Sequence, residues 1–170
     1  MPKTAGAMTR AYVGIGSNAN REAAIRGGVS ELKKRFGPLI LSPIYESSTW
    51  GFLGAPFYNL VAGLNTRLPP PKLARELRDI EKMHGRRRDA TKFLSRTLDL
   101  DLLLYGQLAY KGHGLELPRP DILRHSFVLR PLAEIAGDRH HPLDGHTFRE
   151  LWRRFDQRRH SLQPVALALE

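Results

Sequence analysis

The 170-residue sequence predicts an α+β fold with a ferredoxin-like, split βαβ core: one mainly antiparallel sheet with helices packed on it. Three observations carry this. The length suits one domain around one core. The elements read in the order β-α-β-β-α-β, with additions towards the C-terminus. No repeat, linker or low-complexity stretch breaks that order, and the apolar share of 41% is ordinary for a globular chain.

Met1 to Arg10 has no apolar core, so it is no secretory signal and reads as a disordered leader. A single domain is expected over residues 11–160, with a tail over 161–170. Ala11 to Gly16 (AYVGIG) is a short buried strand running into the turn signal Gly16-Ser17-Asn18. Asn20 to Phe36 is a helix: Ile25, Val29, Leu32 and Phe36 share one face, Gly27 and Gly28 weaken the middle, and Gly37-Pro38 ends it. Leu39 to Glu46 is a strand broken, or held at an edge, by Pro43. Ser47 to Pro56 is a loop rich in large apolar residues, and Phe57 to Thr66 is a strand with clean alternation. Pro69-Pro70-Pro71 opens a helix that turns Leu73, Leu77 and Ile80 inward and stops at Gly85. After a basic, irregular loop from Arg86 to Ser95, Thr97 to Tyr105 (TLDLDLLLY) is a strand. Gly106-Gln107 turns the chain, and Leu108 to Tyr110 returns as a hairpin. Leu115 to Leu117 is a further short strand, Pro118 and Pro120 bracket a rigid link, and helices cover Phe127 to Ala136 and Thr147 to Phe155.

The sequence has no cysteine, which removes disulfides and thiolate metal sites, and no apolar run near the roughly 18–20 residues that span a bilayer. The cytoplasm is the default compartment. The net charge of +10 suits either a nucleic acid or a small polyanion such as ATP. One basic cluster (Arg86, Arg87, Arg88, Lys92, Arg96) directly precedes an acidic pair; a second (Arg149, Arg153, Arg154, Arg158, Arg159) reads as a solvated helix face.

The acidic pair is the most informative feature. In Leu98-Asp99-Leu100-Asp101-Leu102 the leucines face the core, so Asp99 and Asp101 project together from the other side. They stand roughly 6–7 Å apart along the strand. Two carboxylates so close need a compensating cation or a shared proton. Oxygen ligands on a rigid strand suit magnesium, completed by water and substrate phosphates. The competing reading is a solvated strand face, but aspartate is depleted in strands. The adjacent arginines would be a solvated helix end if they stood alone; beside the carboxylates they complete the parts of a phosphoryl-transfer site. Hydroxyls, an amide and flat apolar surfaces in Ser47–Asn59 suit a flat heterocycle, although Trp50 and Phe57 would equally serve as core. His140, His141 and His146 have no metal-ligand spacing and read as surface or loop residues.

These motifs together resemble the 6-hydroxymethyl-7,8-dihydropterin pyrophosphokinase family of folate biosynthesis. The resemblance runs from Ala11–Asn18 (AYVGIGSN) through Tyr45–Asn59, Ile80-Glu81, Gly85-Arg86-x-Arg88, the RTLDLDLLLYG segment and Phe127-Val128-Leu129-x-Pro131-Leu132. It implies magnesium-dependent transfer of pyrophosphate from ATP to the hydroxymethyl group of the dihydropterin, releasing AMP. It implies two magnesium ions on Asp99 and Asp101, with Arg86 and Arg96 stabilising the transferring group. By the same resemblance Glu81, Arg88, Lys92, Leu102, Glu116, Arg119 and His125 fall at ATP positions, and Ser47, Ser48, Trp50, Phe57, Asn59, Phe93 and Phe127 at the pterin pocket. ATP and the dihydropterin are then the partners of a monomer, with no nucleic acid or membrane. The chain departs from the family pattern at Arg78, at Phe93-Leu94-Ser95, at Arg119 and at His125. The last two fall where the family grips ATP. Two alternatives stand beside this reading: a diverged relative that acts on another pterin or binds pterin without turnover, and a basic nucleic-acid-binding module.

Overall fold

The computed structural model describes residues 7–47, 56–84, 97–156 and 162–169. β1 (Thr9–Ser17) leads into α1 (Arg21–Phe36), followed by β2 (Ile40–Leu41), β3 (Ile44–Ser47), β4 (Phe57–Thr66), α2 (Pro70–Met83) and β5 (Asp99–Tyr105). Beyond this core come β6 (Tyr110–Gly112), β7 (Leu115–Leu117), α3 (Asp121–Arg124), α4 (Ser126–Ala136), α5 (Phe148–Arg154) and β8 (Leu162–Val165). The main sheet runs β5-β1-β4-β3-β8 with antiparallel pairings throughout, and β2 also pairs with β4. β4 separates β1 from the broken strand β2–β3 that follows α1, and β5 flanks β1 on the other side. That order is the predicted split βαβ.

Each face of the sheet carries its own core. On one, Ile25, Val29 and Leu32 of α1 and Leu73, Leu77 and Ile80 of α2 bury Val13, Ile15, Leu60, Ala62, Leu100 and Leu102. On the other, Val128, Leu129 and Leu132 of α4 and Phe148 of α5 cover Tyr12, Val61, Leu103 and Leu104. This second layer explains why β4 does not alternate in burial as expected. It is a central strand covered on both sides, and Asn59 to Leu64 are buried without a break.

Four expectations are corrected. β1 begins at Thr9, whose partner is Thr66, so residues 9 and 10 belong to the sheet rather than to a leader; residues 1–6 lie outside the described residues. The expected tail contains β8, which pairs along β3 from Ile44↔Val165 to Ser47↔Leu162. It covers an otherwise open edge, and Val165, Leu167 and Leu169 pack on the core. The chain after Gly106 does not fold back on β5; β6 pairs with β7 across His113 and Gly114, both at positive φ as a tight two-residue hairpin requires. The carbonyl of Leu103 on β5 instead accepts the Arg119 N–H at 2.9 Å. Finally, the Pro118–Pro120 link is followed at once by the short helix α3, which the sequence reading passed over.

Candidate active site

Alternation puts Leu98, Leu100 and Leu102 in the core beneath α1 and α2, at 0%, 5% and 4% exposure. Asp99 and Asp101 therefore project from the α4 side, as expected from the sequence. Both are half-exposed. Register then places specific residues beside them. Asp99 pairs with Gly16, Gly16 with Asn59, and Asn59 with Tyr45; in the next row Asp101 pairs with Gly14 and Gly14 with Val61. Neighbouring strands lie about 4.8 Å apart, so Asp99 and Asn59 stand roughly 10 Å from each other across Gly16.

On the Asn59 side the groups are held tightly. Asn59 and Ser47 are both buried, and the amide Nδ2 donates to Ser47 Oγ at 2.9 Å. A Cβ built on Gly16 would lie 3.0 Å from Asn59 Oδ1 and 3.7 Å from the Phe57 ring. Glycine is needed there because the amide and the ring close over the strand. Phe127, at the start of α4, stacks on His125 with ring centroids 4.9 Å apart, which joins an expected pterin residue to an expected ATP residue. Tyr45 was not among the candidates, yet it stands in the same row, next to Asn59. Its hydroxyl donates to Glu134, and burial followed by the Glu134 carboxylate pushes its pKa up to about 12. The regular spacing of Tyr45 with Ser47 on one strand face was the available signal.

On the aspartate side, Arg119 Nη2 lies 3.7 Å from Asp101 and its Nε 3.4 Å from Asp121. With the Asp101 side chain 45% exposed, this contact leaves the carboxylate accessible. Arg119 also lines an open cleft of about 340 Å³ with Lys111, Leu115, Glu116, Pro120 and Asp121. Glu116, on β7, faces Lys111 at 4.0 Å. The candidate ATP residues Arg119 and Glu116 thus line one cleft, and Arg119 also contacts Asp101. Leu102 differs: its side chain is core, so its main chain alone is on offer to a ligand. Glu81 is 5% exposed, and its carboxylate accepts the Leu100 N–H at 2.7 Å. It supports the strand segment between the two aspartates from α2.

Two carboxylates on one strand face, with the Arg119 guanidinium 3.7 Å from one of them, are a donor set that fits a magnesium ion completed by water and phosphate oxygens. Among the described residues no group of three or more His, Asp or Glu side chains could hold a metal unaided. His140, His141 and His146 lie in or beside a loop, as expected, but His141 is not at the surface: it is 4% exposed, and its Nδ1 accepts the N–H groups of Leu143 and Asp144 at 3.2 and 2.9 Å. Of the C-terminal arginines, Arg149 binds Asp138 and Arg154 donates to the His146 ring at 3.0 Å, as a solvated face does. The candidates Ser48, Trp50, Arg86, Arg88, Lys92, Phe93 and Arg96 lie outside the described residues.

Comparison with known proteins places this geometry in a family. Residues 12–137 match the profile described as 7,8-dihydro-6-hydroxymethylpterin-pyrophosphokinase (HPPK). The chain is 39% identical over 137 residues to the 2-amino-4-hydroxy-6-hydroxymethyldihydropteridine pyrophosphokinase of Haemophilus influenzae, covering 77% of this chain and 84% of that one. It is 36% identical over 157 residues to the folic acid synthesis protein fol1 of Pneumocystis carinii, covering 91% of this chain but only 21% of that longer protein. In fold it is similar to a Plasmodium falciparum HPPK-DHPS triple mutant, with a TM-score of 0.70 at 14% identity over 89% of this chain and 42% of that one. With more than half its length matched by the profile and a relative of similar size above 30% identity, the chain belongs to the 7,8-dihydro-6-hydroxymethylpterin-pyrophosphokinase family.

Proposed function

We propose that this chain transfers pyrophosphate from ATP to the hydroxymethyl group of 6-hydroxymethyl-7,8-dihydropterin, releasing AMP, with magnesium held by Asp99 and Asp101. The observation that carries the reading is the row Asp99–Gly16–Asn59, which sets a carboxylate pair two strands away from a buried amide that lies close to the Phe57 ring. Magnesium bound there would neutralise the phosphates and fix their geometry. The chain's own residues do the rest. Asn59, oriented by Ser47, presents its amide to the polar edge of the pterin, and Phe57 and Phe127 offer ring faces to the heterocycle. Arg119 and Glu116 line the nucleotide cleft, where the guanidinium attracts phosphate. The acceptor oxygen attacks the β-phosphorus in line, the bond from that phosphorus to the oxygen bridging to the α-phosphate breaks, and the hydroxyl proton leaves to solvent. No described side chain stands out as a general base, so holding the two substrates in line supplies most of the rate. Arg86 and Arg96 remain the proposed stabilisers of the transferring group, on resemblance alone. We further propose that the protein works as a monomer in the cytoplasm.

Product analysis tests the reading. AMP formation should require both magnesium and the dihydropterin, and Asp99→Asn or Asp101→Asn should abolish it without unfolding the protein. ADP as the sole nucleotide product refutes it.

A further inference from the structure

Tyr45 is 3% exposed and lies in the row that begins at Asp99, between Asn59 and Pro164. Its hydroxyl lies 2.7 and 2.8 Å from the two carboxylate oxygens of Glu134. The Arg130 guanidinium sits 4.5 Å from the centroid of the same ring and 5.9 Å from that of Trp152 on α5. Phe127, Arg130 and Glu134 are spaced i, i+3 and i+7 on α4 and so share one helix face. The apolar residues of α4 hold it against the sheet, but apolar packing of this kind tolerates small shifts. Hydrogen bonds and a cation over a ring are directional, and they define where along β3 the helix stops. Tyr45 also belongs to the other wall of the acceptor site. Its main chain pairs with Asn59, and Ser47, two residues on, orients the Asn59 amide. Both walls of that site, the helix-borne ring and the strand-borne amide, therefore meet at one tyrosine.

We propose that Tyr45, Arg130 and Glu134 form a positioning clamp that sets the gap between Phe127 and Asn59, and with it the affinity for the flat bicyclic acceptor. The inference rests on the pterin reading given above. The tyrosine hydroxyl, held up to about 12 by burial and by Glu134, stays a donor at every working pH, so the clamp is a fixed gauge rather than a switch.

Steady-state kinetics on Tyr45→Phe, Glu134→Ala and Glu134→Gln, with melting curves for each, test it. Tyr45→Phe and Glu134→Ala should each raise KM for the dihydropterin about tenfold, leave KM for ATP within about twofold, and show no further loss when combined. Glu134→Gln keeps an oxygen for the tyrosine hydroxyl and should stay close to the wild type. A lowered melting temperature with an unchanged acceptor KM, or both KM values rising together, overturns the clamp. Wild-type protein that makes no AMP from the dihydropterin overturns the reaction instead; the clamp is then decided by calorimetry with the pterin, where equal affinity of wild type and Tyr45→Phe, or no binding to either, refutes it.

Discussion

Replacing Glu81 tests how the aspartate strand is held. Its carboxylate is buried and accepts the N–H of Leu100, the residue between Asp99 and Asp101. A hydrogen bond to a charged acceptor contributes about 1.5–3 kcal/mol, and its loss here strands a main-chain donor. Glu81→Ala should therefore cost roughly 2 kcal/mol. In a domain of this size that is a fall in Tm of roughly 4–8 °C. Glu81→Gln keeps an acceptor oxygen without the charge and should lose about half as much. The assay is thermal unfolding followed by circular dichroism, paired with turnover at saturating magnesium and ATP. Loosening the start of β5 should lower kcat while pterin affinity, set on β3 and β4, stays unchanged. An alanine variant that melts within about 1 °C of wild type but loses ATP affinity would refute the structural argument and leave Glu81 a ligand-contacting residue.

Other outcomes follow from the same geometry. Gly16→Ala puts a methyl group 3.0 Å from Asn59 Oδ1, so calorimetry should find pterin affinity weakened by about tenfold, or roughly 1.4 kcal/mol, with ATP affinity intact; unchanged pterin affinity would mean that the amide does not contact the acceptor. Burial, only partly opposed by Asp144, holds His141 below its ordinary value of 6.5, and its Nδ1 accepts two N–H groups that a protonated ring cannot bond. The unfolded chain then takes up a proton that the folded one refuses, so this contribution to stability is full above about pH 6.5 and declines as pH falls below it; melting curves across that range should show the decline, and His141→Gln should flatten it. Truncation before Ser161 removes β8 and uncovers the core beside Val165, Leu167 and Leu169, and denaturant titration should show a loss of roughly 2–3 kcal/mol; an unaltered midpoint would show that β8 adds nothing to the sheet.

Local periodicity was a sound guide wherever the deciding interaction lay within a few residues. The α1 face of Ile25, Val29 and Leu32, the stop at Gly37 and the opposed faces of Leu100 and Asp101 all read correctly, because side-chain direction within a helix or strand is a local property. It failed where a distant segment decided. Residues 162–165 (LQPV) carry a weak strand signal with a proline in it, and only the open edge of β3 makes them a strand. The chain after Gly106 turned away from β5 because the Leu103 carbonyl takes the Arg119 N–H instead. Glu81 could be noticed as an acid at a family position, but its partner is a main-chain N–H 19 residues away, which no spacing rule reveals.

By itself, then, the sequence determined the helices and strands of the β-α-β-β-α-β core, the two-carboxylate face and, through its motifs, the family. Only the tertiary structure decided that Asp99, Gly16, Asn59 and Tyr45 form one row, that Tyr45 is gripped by Arg130 and Glu134, and that Arg119 reaches Asp101. The reason is physical: which way a side chain points is set by its own strand, whereas which residue lies beside it is set by strand register, and register depends on how the whole hydrophobic pattern of both sheet faces is buried at once.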